Sequence, residues 1–211
     1  MNKRSIELEW RAEILPRDYK RMRRKIELLG SLHSHTKRLS VMFFGKIKNR
    51  KIDIRVRITN GKSEIVVKIG AFGSYDRIEI SQDIDSSQFI GMVKIFSQFG
   101  FSAEIGEREI FNYILPNNII ISLVSAGRIA YIELEKMSSK SDLAKNNKQL
   151  KKIADQLGLK VLESEKKFDV LCKRLSETVD WSFYCTNNEY AKLTRIVKRY
   201  TNVQRKTAKK N

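Results

Sequence analysis

The amino-acid sequence predicts an α+β fold: an antiparallel β-barrel of about eight strands, charged inside and covered outside by helices. Three observations carry this. Segment after segment alternates apolar and charged residues with a period of two, which is the signature of strands. The polar members of the alternation are mostly carboxylates, guanidiniums and ammoniums, not the Thr, Ser and Gln that water-facing strand surfaces usually carry. Amphipathic helices separate the strand groups, and each has an apolar stripe to lay against the apolar side of a sheet.

In chain order, "SIELEWRAEI" (5–14) sets Ile6, Leu8 and Trp10 against Glu7, Glu9 and Arg11. "LPRDYKRMRRKIELLG" spaces Tyr19, Met22, Ile26 and Leu29 as one helical stripe, with Asp18 near its start, Gly30 at its stop and a basic outer face. "RLSVMFFGKIKNRKIDIRVRITNGKSEIVVKIG" supplies two or three strands, and "TNGK" marks a tight hairpin. A further strand at "YDRIEIS" precedes a helix at "DSSQFIGMVKIFSQFG", capped by Asp85 or Ser86 and ended by Gly100. Strands return at "EREIFNYIL", "NIIISLVS" and "RIAYIELEKM", followed by a helix at "SDLAKNNKQLKKIADQLGL"; beyond residue 163 the helical pattern weakens. His33 and His35 fall in a polar loop between helix and strand, with no third metal ligand beside them. Phe43, Phe44, Phe96, Phe99 and Phe101 read as core, and Trp10 and Trp181 as core or barrel exterior.

With 211 residues, 41% of them hydrophobic, the chain can bury a substantial core. Only Pro16 and Pro116 are available to mark a linker, so the sequence favours one domain over 1–190 with a basic extension at 191–211. The net charge of +18 sits at the ends: residues 1–52 hold 15 Lys/Arg against 5 Asp/Glu, residues 53–190 hold 19 against 19, and residues 191–211 hold 8 against none. Weak, salt-dependent attraction to RNA or polyphosphate through the basic helix and tail follows from that distribution. Cys172 and Cys185 match neither a metal knuckle nor a disulfide framework, which points to reduced thiols in an intracellular protein. No signal peptide or membrane span is legible, so the expected location is the cytoplasm. Neither GxxxxGK[ST] nor GxGxxG occurs, which argues against a P-loop or dinucleotide enzyme.

The charged faces suggest a chemistry. Arg55 and Arg57 oppose Ile54, Val56 and Ile58; Lys68 opposes Val67 and Ile69; Arg77 and Glu79 oppose Ile78 and Ile80; Glu133 and Glu135 oppose Ile132 and Leu134. An open sheet with these charges in water is the plain alternative, in which they would pair across strands for little net stability. Turned inward, paired carboxylates match the hard oxygen ligands that Mg²⁺ or Mn²⁺ takes, and guanidiniums match phosphate oxygens. Glu7 and Glu9 would then hold metal, and Arg11 with the other bases would hold the polyphosphate it bridges.

Taken in order, these segments resemble the CYTH branch of the triphosphate tunnel metalloenzymes. "ELEWR" resembles that family's opening E-x-E-x-K strand, with Arg11 in place of lysine. "DIRVRITNGKSEIVVK" is similar to its paired arginines, glycine turn and lysine-ended strand. "YDRIEI", "EREIF" and "RIAYIELE" resemble the later R-x-E, arginine and closing E-x-E strands, so the likeness runs from residue 5 to about 135. The resemblance implies an eight-stranded antiparallel triphosphate tunnel that uses Mg²⁺ or Mn²⁺. It would hydrolyse inorganic triphosphate, a nucleoside or thiamine triphosphate, or an RNA 5′ end. It implies Glu7, Glu9, Glu133 and Glu135 as metal ligands; Glu7, Glu9 and Arg11 as catalytic; Arg11, Arg55, Arg57, Lys68, Arg77 and Arg108 as phosphate ligands; and Glu79 as a support. Val124 stands where many members carry an aspartate, and "GER", with Glu107 and Arg108, where many carry a K-x-R pair. Binding of polyphosphate, nucleotide or RNA without turnover therefore remains an alternative, as does cyclisation of ATP.

Overall fold

The computed structural model describes residues 6–70, 78–162 and 164–201, with the backbone alone for residues 6, 7 and 165. Eight strands form one antiparallel sheet: β1 (Ile6–Ile14), β2 (Ser31–Ile47), β3 (Arg50–Thr59), β4 (Lys62–Ile69), β5 (Ile78–Ile84), β6 (Ser102–Leu115), β7 (Ile119–Ala126) and β8 (Ile129–Ser138). Their hydrogen-bonded order is β1, β8, β7, β6, β2, β3, β4, β5, with a two-residue β9 (Trp181–Ser182) added against β6. The helices are α1 (Tyr19–Glu27), α2 (Phe89–Ser97), α3 (Leu143–Leu157), α4 (Glu165–Thr178) and α5 (Asn187–Thr201). The expected eight-stranded antiparallel architecture is what the chain adopts, with α1, α2, α3 and α5 laid on its apolar face.

The chain divides into two compact units, residues 1–35 with 109–175 and residues 36–108 with 176–211. In the first unit, strand alternation turns Leu8 and Ile14 of β1, Ile132 and Leu134 of β8, and Ile121 and Leu123 of β7 to one side. There they meet Met22 and Ile26 of α1 and Leu150, Ala154 and Leu157 of α3. Each such buried aliphatic contributes about 1.5–3 kcal/mol. Gly158 ends α3 in the left-handed conformation, with φ of 69°.

In the second unit, Leu39, Val41 and Phe43 of β2 and Ile54, Val56 and Ile58 of β3 face Phe89 and Val93 of α2 and Leu193, Ile196 and Val197 of α5. The β3–β4 hairpin closes through Asn60 and Gly61, both at positive φ (48° and 88°), which is why the Asn-Gly pair is needed there. Asp85 caps the turn into α2 by accepting the backbone N–H of Ser87. Helix α5 runs through residue 190, where composition pointed to the start of a basic extension, and its apolar stripe lies in this core. Residues 202–211 of that extension lie outside the described residues.

Two expectations are corrected. His33 and His35 lie on β2, which begins at Ser31, not in a loop. The reason is pairing with β6: the His35 ring stacks on Phe111 at 4.0 Å and its Nε2 lies 2.8 Å from Glu109. Phe99, expected in the core, is 56% exposed, because α2 has ended before it. Cys172 and Cys185 are free thiols. Among the described residues no helix is long and apolar enough to cross a membrane.

Candidate metal and phosphate site

The first unit gathers three of the four carboxylates expected to hold metal. Antiparallel pairing of β1 with β8 puts Glu9 opposite Glu135 and Arg11 opposite Glu133. All four therefore project from the face opposite the Leu8 and Ile132 core. Glu9, Glu133 and Glu135 each place a carboxylate oxygen within 4.8 Å of the other two. Arg11 donates from Nε to Glu133 Oε1 at 3.1 Å and forms a second ion pair with Glu9. Glu7 occupies the next position on the same face, with Met137 as its backbone partner on β8.

The electrostatics of this cluster are unbalanced. Burial, then the charge of Glu133, pushes the Glu9 carboxyl up to about 8, although Arg11 pulls the other way. The same two carboxylates hold the Arg11 guanidinium above its usual value despite the cost of burying it. Glu135 adds to the upward push on Glu9, which Arg11 offsets only in part. An all-carboxylate set of this kind suits a hard divalent cation such as Mg²⁺ or Mn²⁺, which Glu9, Glu133 and Glu135 could hold.

Polar residues that sequence reasoning missed extend the same rung across the sheet. Ser122 of β7 pairs with Glu133 in register. Its Oγ donates to Asn112 Oδ1 at 2.9 Å, and Asn112 Nδ2 donates to Ser34 Oγ at 2.9 Å. The legible signal was a lone serine within the aliphatic run "IIISLV". Val124, where the resemblance would lead one to expect an aspartate, is 1% exposed and pairs with Tyr131. Helix α4, in the stretch where the helical pattern weakens, supplies contacts that the sequence did not single out: the Phe168 ring lies 4.1 Å from the Arg11 guanidinium carbon, and Arg174 binds Glu13 at 2.7 and 2.8 Å. This helix therefore lies along the charged face of β1.

The second unit holds Arg55, Arg57, Lys68 and Arg108 in carboxylate pairs. The β3–β4 register sets Arg57 opposite Glu64 and Asp53 opposite Lys68, and the β4–β5 register sets Lys68 opposite Glu79. Arg57 grips Glu64 through two bonds of 2.7 and 3.1 Å, Arg55 binds Asp53 at 2.6 Å, and Lys68 lies 2.7 Å from Glu79. Burial acts to raise Glu79, but the Lys68 hydrogen bond and charge, with Arg57 and Arg55, hold it below the usual carboxylate range.

Arg108 makes a forked pair with the buried Asp180, at 2.6 and 2.7 Å. Gly106 permits this approach, since a Cβ there would come within 2.6 Å of Asp180 Oδ1. The structure thus ties Arg108 to the turn between α4 and β9. Arg77 lies outside the described residues.

No family model matches the sequence, and no curated protein matches it. Solved structures do. The PH1012 protein of Pyrococcus horikoshii OT3 is 21% identical, with 74% of this chain and 92% of that one covered at a TM-score of 0.57. The PH1819 protein of the same organism is 17% identical, with 80% and 99% covered at 0.59. A "putative adenylate cyclase" from Vibrio parahaemolyticus is 14% identical, with 89% and 98% covered at 0.53. These likenesses establish a fold. It is the antiparallel sheet with packed helices described above.

Proposed function

We propose that this protein is a divalent-metal-dependent phosphohydrolase acting on a triphosphate-bearing substrate. The observation that carries the reading is the meeting of Glu9, Glu133 and Glu135 within 4.8 Å on paired strands, with Arg11 interleaved. Glu9, Glu133 and Glu135 would hold Mg²⁺ or Mn²⁺, with Glu7 in the supporting position its register gives it. A metal bound there would neutralise phosphate charge and lower the pKa of water. Arg11 would exchange one of its two carboxylate partners for a phosphate oxygen. Its planar fork suits that geometry, and the carboxylate it releases would be available to hold the metal. Arg55, Arg57, Lys68 and Arg77 take the phosphate-binding role that the family resemblance gives them, with Glu79 holding Lys68. Hydrolysis of this kind is mostly positioning and charge neutralisation, which is what such a set of residues supplies. Candidate substrates are inorganic triphosphate, nucleoside or thiamine triphosphate and the RNA 5′ end.

The test is phosphate and pyrophosphate release from that panel, with Mg²⁺ and then Mn²⁺, in wild type and in Glu9→Gln. Release that needs both metal and Glu9 supports the reading; equal release by the variant refutes it. A second reading is favoured by the buried Val124 and by the engagement of Arg108 with Asp180: binding of polyphosphate or nucleotide without turnover. Tight triphosphate binding with no release in either metal would select it. Formation of cyclic AMP from ATP, with pyrophosphate as co-product, would select the activity named for the Vibrio protein.

A further inference from the structure

We propose that the outer faces of α1 and α3 form a docking surface for the phosphate backbone of double-stranded nucleic acid, separate from the carboxylate cluster. Both helices use their apolar faces on one core, through Met22 and Ile26 of α1 and Leu150, Ala154 and Leu157 of α3. Their other faces are exposed and basic. Arg17, Lys20, Arg24 and Lys25 recur at helical spacing through α1 and the turn before it, a stripe about 12 Å long, and Lys148 and Lys152 do the same on α3.

The acidic residues of α1 and α3 are already engaged: Glu27 by Arg23, Asp155 by Lys151, and Asp18, just before α1, by Arg21. Among the described residues no carboxylate pairs with the six cations of the stripes. A surface of unpaired cations is what counterion release from a nucleic-acid backbone rewards.

Three features select the occupant. With Met22, Ile26, Leu150 and Ala154 buried, neither helix has an apolar face left to enter a bilayer, which disfavours a lipid surface. The sequence of α3 contains no aromatic residue, and α1 has only Tyr19, which is half-buried. A strand with unpaired bases would find no stacking platform, so a duplex, whose bases are already stacked, fits better. The stripes also lie on the opposite side of the sheet from Glu9 and Glu133, because strand alternation sends Leu8 and Ile132 to the helices and the carboxylates away from them. A duplex and a triphosphate would therefore not compete. The proposal does not depend on the hydrolase reading.

The experiment is fluorescence anisotropy of labelled duplex RNA, duplex DNA and single-stranded RNA against salt, with anionic vesicles as competitor. Wild type should bind both duplexes with similar affinity and a steep salt dependence. Lys20→Glu/Arg24→Glu/Lys148→Glu/Lys152→Glu should weaken binding by at least about tenfold and flatten the log–log salt slope by about 3–4. The same charge change at the exposed Lys46, Lys48, Arg50 and Lys51 of the β2–β3 hairpin should have a much smaller effect. Thermal unfolding and triphosphate turnover should be unchanged in the helix variant, and Glu9→Gln should bind duplex like wild type. Equal loss in the hairpin variant would show that total charge binds, not this surface, and would overturn the proposal. Tighter binding of the single strand, or displacement of duplex by vesicles at equal charge concentration, would overturn it in favour of another occupant.

Discussion

Replacing Glu9 by Gln should stabilise the metal-free protein while abolishing its response to metal. A carboxyl raised from 4.5 to about 8 by folding binds its proton more tightly folded than unfolded. The associated stability is fully present below pH 4.5, falls as pH rises, and is lost once pH passes about 8. At pH 7 the wild type has lost about 3 kcal/mol, since each pH unit above the unfolded value costs about 1.4 kcal/mol. Gln keeps the shape and carries no charge, so the variant escapes this loss. For a chain of this size the gain corresponds to roughly 6–12 °C in melting temperature. The assay is thermal and denaturant unfolding in chelator, from pH 4.5 to pH 8, for both proteins. The difference should be near zero at the acid end and grow toward pH 8. Added Mg²⁺ or Mn²⁺ should then raise the melting temperature of wild type, with protons released, and leave the variant unmoved. A gain that does not depend on pH, or a variant less stable than wild type at pH 8, would refute the claim that burial and neighbouring carboxylates raise Glu9 in this cluster.

Other outcomes follow from the same geometry. Asp180→Ala leaves the half-buried Arg108 guanidinium without its forked partner and should cost about 3 kcal/mol in denaturant unfolding. A cost below about 1 kcal/mol would mean that the pair is not a tether. Lys68→Met removes the main group holding Glu79 down, so the Glu79 carboxyl should titrate at higher pH by NMR. In wild type the stability Glu79 confers is present above its ordinary value of 4.5 and is lost as pH falls below it. The Glu13–Arg174 pair is substantially exposed, so a double-mutant cycle between them should give a coupling of no more than about 1 kcal/mol. Phe168→Ala should lower stability and shift the Arg11 Nε resonance, because the ring lies over that guanidinium; an unmoved resonance would place α4 elsewhere in solution.

How much of this was legible beforehand differs from element to element. The E-x-E strands, the Asn-Gly hairpin, the Asp85 cap and the stripes of α1 and α3 are local: spacing and turn chemistry decide them, and a period of two or of 3.6 survives in any tertiary context. The meeting of Glu9, Glu133 and Glu135 was legible only through the ordered likeness to a family, because strand registry is set by residues more than a hundred positions apart. Asp180 gave no signal as the partner of Arg108, and Phe168 did not stand out, since a lone aspartate or phenylalanine carries no pattern; Ser122 interrupts an aliphatic run, but nothing in the sequence named its partners. His35 was assigned to a loop because its partners, Phe111 and Glu109, lie far along the chain.

The sequence by itself determined which residues alternate, which helices carry an apolar stripe, and that charge occupies the strand face turned from the core. Tertiary structure alone decided which charges meet. Alternation fixes the side of the sheet on which a side chain stands, but not its neighbour on the next strand. That depends on register, which the packing of Leu8, Ile132 and Ile121 beneath α1 and α3 enforces. A slip of one residue would turn Glu9 into the core and Leu8 out of it. The same apolar burial that builds the fold therefore holds three carboxylates closer together than their charges favour.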